Sequence, residues 1–554
     1  MMTPRPLPER SQRFAELDRR ACDVLVIGGG ITGAGTALDL AARGLRVALV
    51  ERGDWASGTS SASSRLIHGG LRYLEQFELG LVRDSCLERG LLLRNAAGFV
   101  WPETFTFPVH RGGPVGRFRL AAGLALYTLV SVPRVLGVPR MLGAASVRRR
   151  VPGIRTSDLR GGGSYEDGAT EDARLTLAVV ASAIELGAIA ISRVEALAIE
   201  NGRSGTRTRI RDLLTGDERE LDARAVVLAG GPFTDRLRER AGMHGVWIRP
   251  TRGTHVLVPR NRLPTDGAVI FPSGIDRRVM FLIPWPRATV IGTTDLDASA
   301  DRPPLASAAE VRYLLDSANH LVPAAQLGES DVLCAWAGLR PLLATDHLAP
   351  SARSREERVE REGSVFTIAG GKLTAFRSMA ERLGARLASE LGLGRSDRVS
   401  PTRTLRLRGA HASPVSRPSW SSLDENGAPR IQRESIRPAW ERRYAAHVSA
   451  VEEFCQRSEQ GRSPLDEETL LGEIDWSVRF EDCLAAQDFF LRRTDLGYAR
   501  AERAQASAPI VLERLARRLG WDAARAQRER EDLELALAGL HAWRREAPTV
   551  SATG

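Results

Sequence analysis

The chain has 554 residues, 43% hydrophobic and 26% charged, an ordinary globular composition in a chain too long for one small core, so roughly two or three domains are expected. Its net charge of +10 favours an anionic partner: a phosphorylated metabolite, an anionic membrane surface or nucleic acid. No run of about 20 apolar residues offers a spanning helix, the N-terminus has no secretory h-region, and Cys22, Cys86, Cys334, Cys455 and Cys483 show no metal or CxxC spacing, so no metal is expected and reduced thiols in a cytoplasmic protein are.

In chain order, Asp23 to Ile27 is a short β-branched run and predicts a buried strand. It leads into Gly28-Gly29-Gly30-Ile31-Thr32-Gly33, then a helical stretch from Ala34 to Arg43, then a second strand from Arg46 to Val50 ending at Glu51. Strand, GxGxxG, helix, strand and acid in this order form the Rossmann fingerprint of a dinucleotide site. Gly28 permits the tight turn, Gly30 lets the backbone approach a pyrophosphate, and Gly33 lets helix pack on strand. The helix N-terminus receives the phosphates, and Glu51 accepts the ribose hydroxyls. FAD and NAD both remain open from this unit alone.

A small-residue polar run, Thr59 to Arg65, follows, and then Leu66-Ile67-His68-Gly69-Gly70-Leu71-Arg72-Tyr73. Residues 117–150 hold an apolar core bordered by Arg117, Arg119, Arg134, Arg140 and Arg148 to Arg150. That pattern suits either an anionic membrane interface or a buried helix with a solvated basic edge. Ile191 to Ala198 predicts a strand returning to the cofactor, with Val194 meeting an adenine through its backbone. Strands are expected at 252–258, 268–271, 279–284 and 288–293. Gly370-Gly371-Lys372-Leu373-Thr374 contains the only lysine among 78 Lys and Arg residues, and a helix is predicted from Thr374 onward. Lysine is a compact, mobile cation where arginine is a planar fork. A Ser-, Pro- and Arg-rich crossing precedes helices expected near 437–458, 478–492 and 506–538. No internal repeat is found.

The run TSSASSRLIHGGLRYLE, together with GGKLT, resembles the FAD-dependent glycerol-3-phosphate dehydrogenases of the aerobic, quinone-linked type. Further matches lie in order: Asp172-Ala173-Arg174-Leu175, Arg252-Gly253-Thr254-His255, Ile291-Gly292-Thr293-Thr294-Asp295, Gly338-Leu339-Arg340-Pro341-Leu342, Gly370 to Arg377, and Asp488 to Thr494. The resemblance spans about residues 20 to 530. Arg65 stands where the family has lysine, Phe376 where it has tyrosine, and Leu228 to Phe233 where it has N-A-T-G-P-W. The family's oxidases carry an insertion before the GGK motif, and there is no room for one between Pro341 and Gly370.

The resemblance implies an α/β fold: a Rossmann-type FAD-binding domain of the glutathione-reductase/D-amino-acid-oxidase superfamily, a β-rich substrate domain and an all-helical C-terminal domain. The expected boundaries are an N-terminal extension at 1–20, an oxidoreductase region at 21–395, a linker at 396–436, a helical domain at 437–540 and a tail at 541–554. Within the region, 21–72, 150–235 and 340–395 would bind FAD, and 73–149 and 236–339 would bind substrate. The implied reaction oxidises sn-glycerol 3-phosphate at C2 to dihydroxyacetone phosphate, with hydride passing to flavin N5 and electrons to a membrane quinone. Arg72, Tyr73, Arg340, Arg355 and Lys372 are expected on the substrate, because a dianionic phosphate needs several cations. His255 is expected as general base, since imidazole titrates near neutrality, with Lys372 and Arg340 as further catalytic groups. Thr59, Ser60, Ser64, His68, Gly70, Gly230, Gly371, Leu373 and Thr374 join Gly28, Gly30, Gly33, Glu51 and Val194 as cofactor residues; His68 is the competing base. Lys372 and the following helix start would face the flavin edge where reduction places negative charge. A quinone-linked enzyme must reach the bilayer, so peripheral attachment to the inner face of the cytoplasmic membrane is expected. No nucleic-acid motif is present, and the assembly state, a homodimer included, stays open. The rivals are a glycerol-3-phosphate oxidase using oxygen, a relative acting on another small alcohol or amine, and a flavin-containing binding protein without turnover.

Overall fold

The computed structural model describes residues 4–71, 78–132, 136–202, 205–344, 357–392, 399–428, 436–498 and 501–545. The β-branched runs Cys22–Ile27 and Val47–Val50 are buried at every position. They pair in parallel, and Cys22–Ile27 also pairs in parallel with Glu218–Leu228. Val365–Gly370 and Ile189–Ile191 extend this parallel set on either side. Parallel strands need both faces covered. One face packs on the helices Ile31–Ala42, Asp172–Glu185 and Phe376–Leu391. The other packs on the helix Arg10–Arg19, through Phe14 and Leu17, and on the meander Val194–Asn201, Thr206–Asp212 and Glu218–Leu228. The expected strand 191–198 is therefore two strands. The break falls at Arg193, whose φ is +57°, where the chain leaves the parallel sheet for the meander.

A second sheet has ten strands. Thr251–Pro259 runs between Ala288–Gly292 and Cys334–Arg340, both antiparallel to it. Leu66–Ile67 and Leu159–Thr170 also belong to this sheet, although both fall within the stretches assigned above to the FAD-binding part. The long antiparallel ladder between Val100–His110 and Leu159–Thr170 draws them in.

The C-terminal region is mainly helical, with one small hairpin, Pro464–Asp466 with Thr469–Leu470, that departs from the all-helical expectation. The helix expected at 437–458 is two, Arg437–Tyr444 and Val448–Arg457, broken at Ala445, after which the Ala446 N–H donates to the Gly409 carbonyl at 2.9 Å. The stretch expected as a helix at 478–492 instead ends the helix Gly472–Glu481 at Asp482, at φ +55°, and resumes in a π-helical turn, Phe489–Arg493. Asp482 turns because its carboxylate accepts from Arg13, Trp55 and Ser192. The span 506–538 is likewise two helices, Ala501–Leu519 and Ala523–Gly539, parted at Gly520. The crossing at 399–428 is packed: Leu407 and Ala410 join the main core, and Arg377 donates to Thr402 Oγ1. All five cysteines are buried and free. Among the described residues no helix is long and apolar enough to cross a membrane.

Candidate functional site

A cavity of about 1130 Å³ runs between the two sheets. Its wall includes Gly28, Gly30, Glu51 and Val194 from the dinucleotide unit and meander, and His255, Arg340 and Lys372 from later segments. The glycine loop is shaped by close backbone approaches. Gly28 has φ +116°, and a Cβ there would run into the Ala229 carbonyl, with its carbon 2.9 Å away. A Cβ on Gly33 would strike the Gly28 carbonyl, so Gly33 serves helix–strand packing and is not itself part of the cavity wall. Ser60 Oγ accepts from the Ile31 N–H at 2.9 Å and so ties the small-residue run to the helix start. Thr59 Oγ1 donates to the Leu339 carbonyl at 2.6 Å, joining that run to the strand that ends in Arg340.

Glu51 accepts from the Gly29 N–H at 2.5 Å and the Gly53 N–H at 2.6 Å. Burial raises its carboxyl pKa, and those two N–H groups oppose the rise. The acid thus braces the glycine loop as well as facing the cavity. The Val194 N–H is already given to the Glu51 carbonyl at 2.7 Å, so Val194 is fixed against the same acid. His68 and Thr374 meet directly: the His68 N–H donates to Thr374 Oγ1 at 3.2 Å. Gly70, Gly230, Gly371 and Leu373 also line the cavity.

His255 is 2% exposed. Its ring stacks on Trp336 at 5.1 Å, and Trp336 stacks on Trp285 at 5.6 Å. Nε2 shares a hydrogen bond of 2.9 Å with Ser64 Oγ, while Nδ1 is buried with no hydrogen-bond partner among the described residues. Gly292 faces it across the strand pair, and a Cβ there would lie 2.5 Å from His255 Cδ2. Burial lowers the imidazole pKa to about 3, aided by the charges of Arg340 and Arg65, so the ring is neutral at ordinary pH. Arg340 donates to Asp295 Oδ1 at 3.0 Å, to Thr293 Oγ1 at 3.0 Å and to the Thr294 carbonyl at 3.1 Å. The IGTTD segment thereby fixes the guanidinium plane.

Lys372 begins the single turn Leu373–Ala375, and the long helix starts at Phe376, two residues later than expected. Gly370 and Gly371 have φ +78° and +83°, conformations that glycine adopts without strain. Phe376 is buried against Gly35 of the dinucleotide helix, so the hydroxyl missing from this position faces core.

Arg72, Tyr73 and Arg355 lie outside the described residues. The other expected site residues, Gly33 apart, share the one cavity wall. Three contributions were not foreseen from the sequence: the Trp336 stack, the Ser64 bond to His255, and Tyr498, which reaches the wall from the C-terminal region and packs edge-on to Trp336 at 5.3 Å. Arg65 is buried behind this wall. It lies 3.9 Å over the Trp285 ring, pairs with Glu171, and has further carboxylates at Asp172 and Asp495. Aromatic stacking has no fixed spacing in sequence, so neither the Trp336 stack nor Tyr498 carried a readable signal.

A family model described as FAD dependent oxidoreductase matches residues 23–411. A second, for the C-terminal domain of alpha-glycerophosphate oxidase, matches residues 400–526. The aerobic glycerol-3-phosphate dehydrogenase of Staphylococcus saprophyticus is 32% identical over 545 residues, 96% of each chain. The chain belongs to the FAD-dependent glycerol-3-phosphate dehydrogenase family. The aerobic glycerol-3-phosphate dehydrogenase of Bacillus subtilis is 32% identical over 540 residues, 95% of this chain and 96% of that one. The solved glycerol-3-phosphate dehydrogenase of Bacillus halodurans, complexed with FAD, superposes with a TM-score of 0.78 at 28% identity, covering 97% of this chain and 99% of that one. The L-alpha-glycerophosphate oxidase of Mycoplasma pneumoniae shares the fold at TM-score 0.53 and 18% identity, over 68% of this chain and 97% of that one. As in the rest of this family, the cofactor is FAD. The residues present fit it: a glycine cradle that any Cβ would fill, a helix N-terminus, and Glu51 open onto one continuous cavity.

Proposed function

We propose that this chain oxidises sn-glycerol 3-phosphate to dihydroxyacetone phosphate. The observation that carries the reading is one cavity wall shared by the FAD cradle and by His255, Arg340 and Lys372. When bound, FAD supplies a hydride acceptor. Lys372 and Arg340 hold the phosphate, with Arg72, Tyr73 and Arg355 as further partners by resemblance. As hydride leaves C2, the hydroxyl proton passes to Ser64 Oγ while the Ser64 hydroxyl proton moves to Nε2 of His255 along their 2.9 Å hydrogen bond. Ser64 and Trp336 hold that ring in one orientation. Its neutrality leaves the ring free to accept; its basicity is depressed first by burial and then by the Arg340 and Arg65 charges, and the incoming phosphate dianion offsets the Arg340 part. The short turn at Lys372 adds a cation beside the flavin region, where a preorganised charge is worth a few kcal/mol, about 2 or more, in a water-poor site.

The electrons are passed to a membrane quinone, and the enzyme sits on the cytoplasmic inner face of the membrane. The helix Arg117–Ser131 supports this. Leu120, Leu124 and Tyr127 are buried, while Phe118 is 90% exposed and Leu129 71%, with Arg117 and Arg119 beside them. An apolar edge next to arginines suits an anionic bilayer surface. Oxygen is the second acceptor to weigh, because the C-terminal match is to an oxidase domain. Anaerobic glycerol 3-phosphate should bleach the flavin of the purified yellow protein, and flavin that stays oxidised would sink the assignment and favour a binding protein without turnover. Aerobic peroxide release in step with substrate use would replace the quinone with oxygen.

A further inference from the structure

The motif Asp488 to Thr494 belongs to the resemblance described above but has no part in the proposed chemistry. The structure places it against the loop that follows Glu51. Arg493 is fully buried and grips the Asp54 carboxylate with both ends of its fork, at 2.7 and 2.9 Å. Arg492 Nε donates to the same carboxylate at 2.5 Å, and its other arm reaches Asp488 at 2.7 Å. Asp488 also receives Arg193 at 2.5 Å, and the Arg193 N–H donates to the Gly53 carbonyl at 3.0 Å. The next residue of the loop, Trp55, gives its indole N–H to Asp482 at 2.9 Å. Its ring packs so close to the glycine loop that a Cβ on Gly29 would lie 2.5 Å from Trp55 Cε3. The Ala56 N–H then donates to the Gly29 carbonyl at 3.1 Å. Thus residues 53–56 are bonded on one side to the FAD cradle and on the other to the C-terminal region. The loop continues through Ser57 and Gly58, which line the cavity, as does Arg492 itself.

We propose that the Arg492–Arg493 pair is a cofactor-retention clamp: by holding Asp54 it fixes the loop between Glu51 and Thr59, and so makes FAD affinity depend on the docked C-terminal domain. The two arginines hold the buried Asp54 carboxylate ionised, and Arg492 has a second carboxylate at Asp488. These are positioning residues, since they act on FAD through the loop. The inference needs only that the cofactor is FAD and is independent of the substrate assigned above.

A buried pair also stabilises the fold, so thermal stability alone does not decide the matter. The readouts are the FAD dissociation constant, by flavin fluorescence on reconstitution of apoprotein, and the visible circular dichroism of bound flavin. Arg493→Met and the isosteric Asp54→Asn should each weaken FAD binding at least about tenfold and alter the flavin dichroism, with Arg493→Lys intermediate. FAD affinity within about threefold of the parent, in variants whose apoprotein is less stable, would make the pair a docking strut only and overturn the clamp. A measurement on the unmodified holoenzyme guards against variants that do not fold. In a urea series, flavin release should coincide with loss of hydrogen-exchange protection at Phe489–Arg493. Loss of that protection while the flavin stays bound and quenched would overturn the proposal as well.

Discussion

Gly253→Ala tests the placement of Arg340 without touching Arg340 itself. Gly253 lies in the strand Thr251–Pro259, opposite Gly338. A Cβ at this position would stand 2.5 Å from Arg340 Cζ and 2.6 Å from Nη1, and nearer still to Nη2. Ordinary contact begins near 3.4 Å, so the guanidinium must retreat by about 1 Å. It is the far end of a flexible side chain, so it yields before the strand does. The retreat takes it off Asp295 and Thr293, both now at 3.0 Å. A misplacement of ~1 Å in a positioning group costs ~10²-fold, about 2.7 kcal/mol of transition-state stabilisation. The assay is kcat/KM for glycerol 3-phosphate with an artificial electron acceptor, alongside FAD content and Tm. The expected result is a fall of about 10²-fold, carried mainly by KM, with FAD content retained and Tm changed by only a few degrees. A kcat/KM within about threefold of the parent would refute the role given to Arg340.

Lys372→Arg conserves charge but swaps a compact cation for a planar fork, and should lose most activity while keeping FAD and the fold; normal turnover would make the lone lysine a bystander. The pKa of His255 is depressed to about 3 in the folded chain, so its contribution to stability is full above about pH 6.5 and is lost as pH falls toward 3. Between about pH 7 and pH 5, His255→Gln should therefore show a shallower fall in Tm than the parent, and equal slopes would count against a buried neutral imidazole. Phe118→Asp should cut binding to vesicles containing phosphatidylglycerol several-fold with Tm unchanged, since its side chain is almost wholly exposed; unchanged binding would remove this helix from the membrane contact.

The dinucleotide half of the site was readable from the chain because each of its demands is local. A glycine where a Cβ would meet a carbonyl, and an acid at a strand end, are tied to fixed offsets from Gly28 to Glu51. His255, Arg340 and Lys372 were readable as motifs, but their meeting was not, since one mid-strand position and two strand ends, distant in sequence, bring them to one wall. What escaped was what holds them. Trp336 reaches His255 by strand register, Thr293 and Asp295 reach Arg340 from a neighbouring strand end, and Arg492 reaches Asp54 across 438 residues. Helix ends in the C-terminal region were misjudged for a related reason. Asp482 and Gly520 break continuous helical patterns, and at Asp482 three partners far away in sequence reward the break.

The cavity wall also has an order in time. Its lining runs from Ile27 to Leu540, and the residues contributed by the dinucleotide unit and the meander are all made by about Arg240. The rest awaits later segments, Gly370 to Thr374 among them, then Leu491 and Tyr498, and finally Ala536 to Leu540. Synthesis at roughly 5–20 residues per second separates these ends by roughly 15–60 s. During that interval the nascent chain lacks the wall residues from Gly370 to Leu540, so the cavity is complete only once the helix Ala523–Gly539 has been made.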